Sequence, residues 1–293
     1  MNDLLVAGID YLTLSAKIET ISRLWGELDT LVTLYHNEGH KPKKLKEFDY
    51  VGYRIGNLAF FQNHNWGYIR ANGDASSVLF ESDKGYDVRC TRIDLAVTTI
   101  DEPRDVPGTN GMMKVTVGDL VTASAEANNN CPAPDHRKSP KGESVYIGSW
   151  LNDRFMRVYN KHLRDPLDGW PEHTWRWELE LKSPRSGPIY GQLKQMEASE
   201  RPTEILHFVT DYCDERGIYH PFSTRRVSRL QDTQTRKHTP IERKLLWIEQ
   251  AVQPTAKLLI DKGYAMEFIK AIGAAGSPIL AKAIVEAIRK LGQ

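Results

Sequence analysis

The chain has 293 residues, 40% of them hydrophobic and 26% charged, which suffices for one sizeable core or for a main domain with a smaller appendage. Its 39 lysines and arginines nearly balance 38 aspartates and glutamates, so the net charge neither indicates nor excludes a nucleic-acid partner. Three widely spaced cysteines argue against a disulfide framework or a structural zinc site. The start of the chain lacks a signal-peptide pattern, and no stretch approaches the roughly 20 apolar residues of a membrane span. These features predict a soluble cytoplasmic protein with no membrane partner.

The first hundred residues are predicted to contain strands and one helix. Residues 4–14 are apolar and β-prone, and apolar residues then follow helical spacing from 18 to 35. A basic loop is predicted over 41–46. Turn residues at hairpin spacing follow and predict an antiparallel meander, and a further strand is predicted over about 87–99.

The middle of the chain is predicted to alternate between loops and regular elements. A loop rich in proline and glycine covers 103–111, a helix covers about 117–127, and a polar, exposed loop covers 128–143. Three strands are predicted next, over residues 144–149, 154–161 and 173–182.

Beyond Pro184 the pattern is helical to the end of the chain. The predicted fold class is therefore α+β, with a central, largely antiparallel sheet that carries helices on one face and leaves the other face open. We place one domain at residues 1–200 and a helical C-terminal region at 201–293.

Charged residues alternate along three of the predicted strands. Because side chains at every second residue of a strand share a face, we expect one face to carry carboxylates, cationic groups and a tyrosine. A bound divalent cation would offset the repulsion among the carboxylates, and the cations suit a phosphate substrate. A solvated strand face is the common alternative for such a pattern. The residues that share this face are Arg92, Asp94, Arg157, Tyr159, Lys161, Arg176, Glu178, Glu180 and Lys182.

The order of these segments carries a resemblance. TRIDLA, then YIGS followed by RVYNK, then RWELELK, resembles the replication initiation factor family, the rolling-circle initiators of small plasmids and filamentous phages with relatives in conjugative elements. The opening IDYLTLS and the late segment RKLLWIEQAVQPT are similar to that family as well. The resemblance runs from about residue 9 to about residue 260.

The resemblance implies that residues 1–200 form a DNA-nicking domain and that Tyr159 is its nucleophile. In the family this tyrosine attacks the scissile phosphodiester, leaving a 5′-phosphotyrosyl bond and a free 3′-hydroxyl. A phenol has a pKa near 10, so Lys161 and Arg157 would lower that pKa or hold a phosphate oxygen. A divalent ion, Mg²⁺ or Mn²⁺, would be held by three carboxylates, those of Asp94, Glu178 and Glu180.

Two departures from related patterns bear on the metal. The family often has a second aspartate on the first of these strands, and here Thr98 stands in its place. Many other nicking enzymes bind their metal through a histidine pair separated by one residue, and this chain has no H-x-H. The carboxylate-based family fits the sequence better.

Origin DNA, single-stranded or extruded at the nick site, is the implied partner, and a host helicase and a second copy of the chain are further candidates. Segment 221–246 is the strongest basic cluster, and the lysines of 41–46 form a weaker one. The residues predicted to contact DNA are Arg92, Arg176, Lys182, Arg225, Arg226, Arg229, Arg236 and Lys237.

Other interpretations stay open at this point. Tyr146 is a second candidate nucleophile, although a structural or base-stacking role is favoured, and His36 and His40 have metal-ligand spacing without an evident third ligand. A relaxase that nicks a transfer origin would use the same chemistry. A DNA-binding regulator without catalysis, or a metal nuclease that uses water instead of Tyr159, are the remaining alternatives.

Overall fold

The computed structural model describes residues 4–47, 49–108, 111–140 and 142–222. Over these residues the strands are β1 (Leu4–Lys17), β2 (Lys43–Glu47), β3 (Tyr50–Ile55), β4 (Leu58–Gln62), β5 (Trp66–Asn72), β6 (Arg89–Ile100), β7 (Arg104–Gly108), β8 (Gly111–Val115), β9 (Pro134–Ser139), β10 (Gly142–Ile147), β11 (Arg154–Asn160) and β12 (Thr174–Lys182). The helices are α1 (Ile18–Glu27), α2 (Asp29–Asn37), α3 (Asp74–Ser82), α4 (Val117–Ala127), α5 (Lys161–Arg164), α6 (Ser186–Gln195) and α7 (Arg201–Glu215), with a 3₁₀ turn at Pro166–Asp168.

One ten-stranded sheet organises these elements, in the order β2-β3-β4-β5-β1-β6-β12-β11-β10-β9. Every neighbouring pair in it is antiparallel. Strands β7 and β8 form a separate hairpin. The predicted α+β class with a largely antiparallel central sheet is confirmed.

Alternation along the strands determines which face of the sheet is buried. In β6 and β12, the residues Ile93, Leu95, Trp177 and Leu179 point to one face and are almost fully buried. Helices pack on that face and contribute buried residues such as Leu24, Leu79, Val121, Leu193 and Phe208 to the same core. Each fully buried side chain of this kind contributes about 1.5–3 kcal/mol. We call the opposite face, which carries the alternate residues, the open face.

Three predicted loops contain strands instead. The basic stretch 41–46 is largely β2, the stretch 103–111 contributes to the β7–β8 hairpin, and 128–143 contains β9 and the start of β10. In each case backbone hydrogen bonds to a neighbouring strand stabilise the strand, and a polar sequence gives no sign of that pairing. Lysines on β2 suit its place at the sheet edge, because charged edge strands resist pairing with other chains.

Two helical features also differ from expectation. The first predicted helix is divided at Leu28 into α1 and α2, and α3 lies between the predicted meander and the strand predicted from about residue 87, where the sequence predicts no element. Leu79 and Phe80 of α3 are buried against the sheet, so tertiary packing stabilises this short helix.

Helix α7 follows residue 200 and packs on β1 and β6 through buried residues that include Phe208 and Tyr212. The core of the sheet therefore extends past residue 200, and where a second domain begins stays a prediction. Over the described part of the chain, every helix is too short or too polar to cross a membrane.

Candidate active site

Four neighbouring strands bring charged side chains together on the open face. Their registers pair Tyr11 of β1 with Asp94 of β6, and Asp94 with Glu180 of β12. On the other side of β12, Glu178 pairs with Arg157 of β11. Residues directly opposite each other have Cβ atoms roughly 5 Å apart, so these side chains are in contact range. We call the eight charged groups of this region the sheet cluster: Asp10, Asp94, Glu178 and Glu180 with Arg92, Arg157, Arg176 and Lys182.

Tyr159 is hydrogen-bonded into the sheet cluster. Its hydroxyl donates to Glu178 Oε1 at 2.6 Å, and the residue is only 4% exposed. Burial raises the pKa of Tyr159, and the charge of Glu178 raises it further against the opposing effect of Arg176. The phenol is therefore neutral in this arrangement and has a carboxylate in place to accept its proton.

Two arginines bridge the carboxylates. Arg92 binds Asp94 through Nε at 2.8 Å and Nη2 at 2.6 Å, and the same Nη2 lies 2.7 Å from Glu180 Oε2. Arg157 Nη2 lies 2.6 Å from Glu178 Oε2 and 3.5 Å from Asp94 Oδ2. The Nε of Arg157 is buried and has no hydrogen-bond partner among the described residues, so one donor of this guanidinium is unused in this arrangement.

Asp10 completes the sheet cluster, and the sequence analysis did not single it out. A register shift between Ile9 and Tyr11 makes Asp10 a β-bulge, and bulges re-aim side chains near active sites. Its carboxylate forms an ion pair with Arg176 and lies within hydrogen-bonding reach of Glu178. Only the pairing of β1 with β6 creates the bulge, so no local pattern signals it.

Burial acts to raise the pKa of Asp10, Asp94 and Glu178, but the partners of each one decide the direction of the net shift. It raises the pKa of Asp10 to about 6, with Arg176 opposing and Glu178 adding to the rise. It likewise raises the pKa of fully buried Asp94 to about 6, against the effect of Arg92. Burial alone would raise the pKa of Glu178 as well, but Arg157, the Tyr159 hydroxyl and Arg176 outweigh it and lower that pKa.

Lys161 lies outside β11, so strand alternation does not place it beside Tyr159, which corrects the expectation. Strand β11 ends at Asn160, whose side chain accepts a hydrogen bond from Leu163 N at 2.9 Å and caps α5. Lys161 therefore begins a helix, where its ammonium forms ion pairs with Asp165 (2.5 Å) and Asp168 (3.3 Å).

Arg164, at the end of α5, contacts Tyr159 instead and was not predicted. Its guanidinium carbon lies 4.3 Å from the centroid of the tyrosine ring, and the residue is exposed. A cation in this position attracts the ring face and lies between Tyr159 and solvent. No strand-based pattern could identify it, because it follows the end of the strand.

The carboxylates of the sheet cluster lie against the sheet, and cationic side chains partly cover them. Lys182 Nζ lies 2.8 Å from Glu180 Oε1, and Arg176 Nε lies 3.3 Å from Glu178 Oε1. Four acidic and four basic groups balance each other. The predicted DNA contacts Arg92, Arg176 and Lys182 thus lie beside the carboxylates, while Arg225, Arg226, Arg229, Arg236 and Lys237 fall outside the described residues.

Carboxylate oxygens are the ligands that Mg²⁺ and Mn²⁺ prefer, so the donor set of Asp94, Glu178 and Glu180 fits the predicted metal by its chemistry. The bridging guanidinium groups of Arg92 and Arg157 would have to release these oxygens for an ion to bind. Thr98, at the position of the family's second aspartate, is buried and pairs with Arg176 in the register.

Three other residues, on the helix side of the sheet, have ligand atoms close enough together to hold a metal ion. Ligand atoms of Asp119, His136 and Glu143 lie within 4.8 Å of one another. Lys138 forms ion pairs with Asp119 (2.7 Å) and Glu143 (3.5 Å), and His136 Nε2 lies 2.6 Å from Glu143 Oε1. We call these four residues the helix cluster.

The other candidates have ordinary surroundings. The ring of Tyr146 stacks on Phe155 with 6.1 Å between centroids, and Arg137 lies 4.8 Å from its centre. His40 lies 3.8 Å from Glu38, and both side chains are about half exposed. The stacking interpretation of Tyr146 and the polar interpretation of His36 and His40 stay predictions.

Comparison with known proteins assigns the family. The sequence model of the replication initiation factor family matches residues 88–272, more than half of the chain. The chain belongs to this family. A search of curated proteins gave no match. Thirteen solved chains are similar, among them the rolling circle replication initiator protein from Geobacillus stearothermophilus, which is 16% identical with a TM-score of 0.48 over 78% of this chain and 90% of that one. The family match includes β6, β11 and β12 but not Asp10.

Proposed function

We propose that the protein is a metal-dependent DNA nickase and strand-transferase that starts rolling-circle replication through a 5′-phosphotyrosyl intermediate at Tyr159. The observation that carries the proposal is the 2.6 Å hydrogen bond from the Tyr159 hydroxyl to Glu178 inside a cluster of carboxylates and arginines. Membership of the replication initiation factor family supports the replication role.

The geometry supports a transesterification. Tyr159 Oη attacks the scissile phosphorus while its proton passes to Glu178, and the bond from phosphorus to the 3′-oxygen breaks. The leaving 3′-oxygen takes up a proton from solvent. The phosphodiester is exchanged for a phosphotyrosine, so the cleaved strand can later be rejoined without an external energy source.

The surrounding groups have distinct parts in this reaction. Arg157 offers its unpartnered Nε to a phosphate oxygen, and Arg92 and Arg176 neutralise charge nearby. Asp94, Glu178 and Glu180 would hold the divalent ion. When bound, that ion would stabilise negative charge at the phosphate and help to orient it.

Binding of DNA and of metal should assist each other. The carboxylates are neutralised by arginines in the protein alone. A phosphate that binds those arginines frees the carboxylates for a cation, and a cation that binds the carboxylates frees the arginines for a phosphate. Each ligand therefore strengthens the binding of the other.

The test is cleavage of a supercoiled plasmid that carries the parent replicon's origin, with Mg²⁺ or Mn²⁺, by wild type and Tyr159→Phe. Products run after denaturation reveal a protein-linked 5′ end. Tyr146→Phe is the matched control, because it removes a hydroxyl from the adjacent strand β10. We expect a nick and an adduct that Tyr159→Phe and chelator both abolish and Tyr146→Phe retains.

Other outcomes point to the rival functions. Origin binding without any cleavage by wild type would favour a regulator. Cleavage by Tyr159→Phe equal to that of wild type would overturn the assignment of the nucleophile and leave Tyr146 or water.

A further inference from the structure

A second site lies on the open face, beyond the sheet cluster. A cavity of about 560 Å³ opens at the ends of β1, β5 and β6, and its size is within the range of small-molecule sites. Three aromatic residues line it, Tyr50, Trp66 and Tyr68, together with Lys17 and Arg89. Neither the reaction nor the predicted contacts use any of these residues.

The sheet register connects this cavity to the sheet cluster. On the open face, Asp94, Tyr11 and Asn72 form one row across β6, β1 and β5, and Arg92, Thr13 and Arg70 form the next. The third row is Arg89, Ser15 and Tyr68, and Lys17 with Trp66 follows. Rows on one face are roughly 7 Å apart, so the cavity begins about 13 Å from Asp94, and the cations of the second row lie between.

The aromatic rings of the cavity are held from behind. Tyr68 stacks on buried Phe61 with 4.7 Å between centroids, and Tyr50 lies 5.2 Å from Tyr68. The Tyr68 hydroxyl donates to Glu47, which also binds Arg70 at 3.0 Å. The Tyr68 ring is therefore fixed before a ligand arrives, while Trp66 is 49% exposed and free to stack.

The charge of the cavity favours a polyanion. Arg89 donates to Ser183 Oγ at 2.8 Å, and neither Arg89 nor Lys17 has a carboxylate partner among the described residues. Asp87 is the one acidic residue of the lining, and a carboxylate there can accept from the exocyclic amine of a base. Aromatic faces combined with unpaired cations are the means by which proteins hold single-stranded nucleic acid.

We infer that this cavity binds an unpaired base of the DNA strand that is nicked, a few nucleotides from the scissile phosphate, with Trp66 as the stacking residue. The inference rests on the proposed function. The strand backbone would cross the second row at Arg70 and Arg92, which places its phosphates beside guanidinium groups. Recognition of one flipped base would give the nickase sequence selectivity that phosphate contacts cannot supply.

The experiment measures binding of a labelled single-stranded oligonucleotide from the nick region, by fluorescence anisotropy in chelator, where no cleavage occurs. The oligonucleotide is scanned with one abasic position at a time. For wild type we expect one position where base loss weakens binding by about 5- to 150-fold, the range of one aromatic–base stack.

Trp66→Ala should weaken binding of the intact strand by a similar factor and show no further loss at that position, because both changes remove the same contact. Trp66→Phe keeps a ring and should retain most of the affinity. Leu34→Ala is the matched control, since Leu34 is 50% exposed on α2 and should leave binding unchanged.

A Trp66→Ala variant that binds every oligonucleotide as wild type does, or that weakens all abasic positions equally, overturns the inference. Free mononucleotides that compete at micromolar concentration would overturn it as well, in favour of a nucleotide site. If Trp66→Ala fails to fold, Trp66→Leu, which removes the ring but keeps an apolar side chain, takes its place in the same scan. If wild type binds and nicks DNA but loses no affinity at any abasic position, this inference alone is refuted. If wild type forms no covalent adduct with DNA, the proposed function is refuted.

Discussion

The sheet cluster and the helix cluster both gather carboxylates, yet they differ in what surrounds them. In the helix cluster every acidic group has a partner that belongs to the fold. Asp119 and Thr116 form the capping box of α4, Thr116 Oγ1 lies 2.8 Å from Glu143 Oε1, and Lys138 binds both carboxylates. Gly118 leaves no space there for a side chain, because a Cβ would lie 2.2 Å from Glu143. This arrangement closes a helix end against two strands.

The members of the sheet cluster come from four strands, and the cluster lies beside Tyr159, the proposed nucleophile. Tyr159 is bonded to Glu178, and a buried donor on Arg157 is left without a partner among the described residues. The helix cluster has the tighter ligand spacing of the two. Ligand distance alone therefore favours the helix cluster as a metal site, whereas the Tyr159 hydroxyl and the unused donor of Arg157 favour the sheet cluster for the proposed phosphoryl chemistry.

We expect the two clusters to differ most in how a glutamate-to-glutamine substitution affects nicking. Glu178→Gln keeps a hydrogen-bond acceptor for Tyr159 but removes the proposed proton acceptor, which is also a proposed metal ligand, so nicking should fall by about 10²- to 10⁴-fold or more. Initial rates on supercoiled origin plasmid measure it, with anisotropy to show that origin DNA still binds. Because Arg157 loses a buried partner, unfolding must be followed in parallel, and rates are compared at a temperature where the variant is folded. A loss below tenfold would remove Glu178 from the reaction.

Asp10 allows a test of the sheet cluster by pH. Its folded pKa of about 6 lies above the ordinary value of 3.8, so the folded state holds this proton more tightly than the unfolded state. The stability it contributes is full below pH 4 and is lost as pH rises through 6, by about 3 kcal/mol. Asparagine at residue 10 stays neutral. As pH rises from 4 through 6, the free energy of unfolding of the Asp10→Asn variant should therefore fall less than that of wild type. Urea denaturation in chelator between about pH 4 and 7 measures the difference.

Below pH 4 the two proteins should respond to pH alike, since both carry a neutral group at residue 10. That range is the internal control. A stability difference that stays constant from pH 4 to 7 would show that Asp10 titrates normally and is not held beside Glu178.

Arg164 should have a smaller effect, because this exposed residue contacts only the ring of Tyr159. Arg164→Ala removes an exposed cation from the Tyr159 ring, an interaction of about 0.5–1 kcal/mol, so nicking should fall about two- to fivefold. Single-turnover rates at saturating DNA measure it. Arg137→Ala is the matched control, since Arg137 covers the ring of Tyr146 in the same way. Faster nicking by Arg164→Ala would mean that Arg164 shields Tyr159 instead of assisting it.

How much of the site the sequence predicts depends on whether its geometry is local. Alternation along three strands predicts a common face for Asp94, Tyr159 and Glu178, because the two-residue period needs no knowledge of the partner strand. It fails for Lys161, where a side-chain cap at Asn160 ends the strand one residue earlier. It also fails for Asp10, because a bulge exists only in a pair of strands.

The fold shows the same division. The apolar strands β1, β6, β11 and β12 are evident from hydrophobic pattern, and they form the centre of the sheet. The polar strands β2 and β9 are the two edges, where half of the backbone groups pair and side chains need no apolar pattern. Their pairing partners decide their structure, and no window of sequence contains that information.

The smallest expected effect on nicking belongs to the helix cluster and completes the comparison. Glu143→Gln makes the same chemical change as Glu178→Gln at a glutamate whose side chain is 12% exposed, against 3% for Glu178, so the two variants are matched in chemistry. Since Glu143 binds His136, Lys138 and Thr116, its loss should lower the free energy of unfolding by about 1–3 kcal/mol. Nicking at a temperature where the variant is folded should change less than about twofold, because the glutamate lies on the helix side of the sheet. If, at equal folded fraction, Glu143→Gln lowers nicking as far as Glu178→Gln does, then the trio of Asp119, His136 and Glu143 holds the metal.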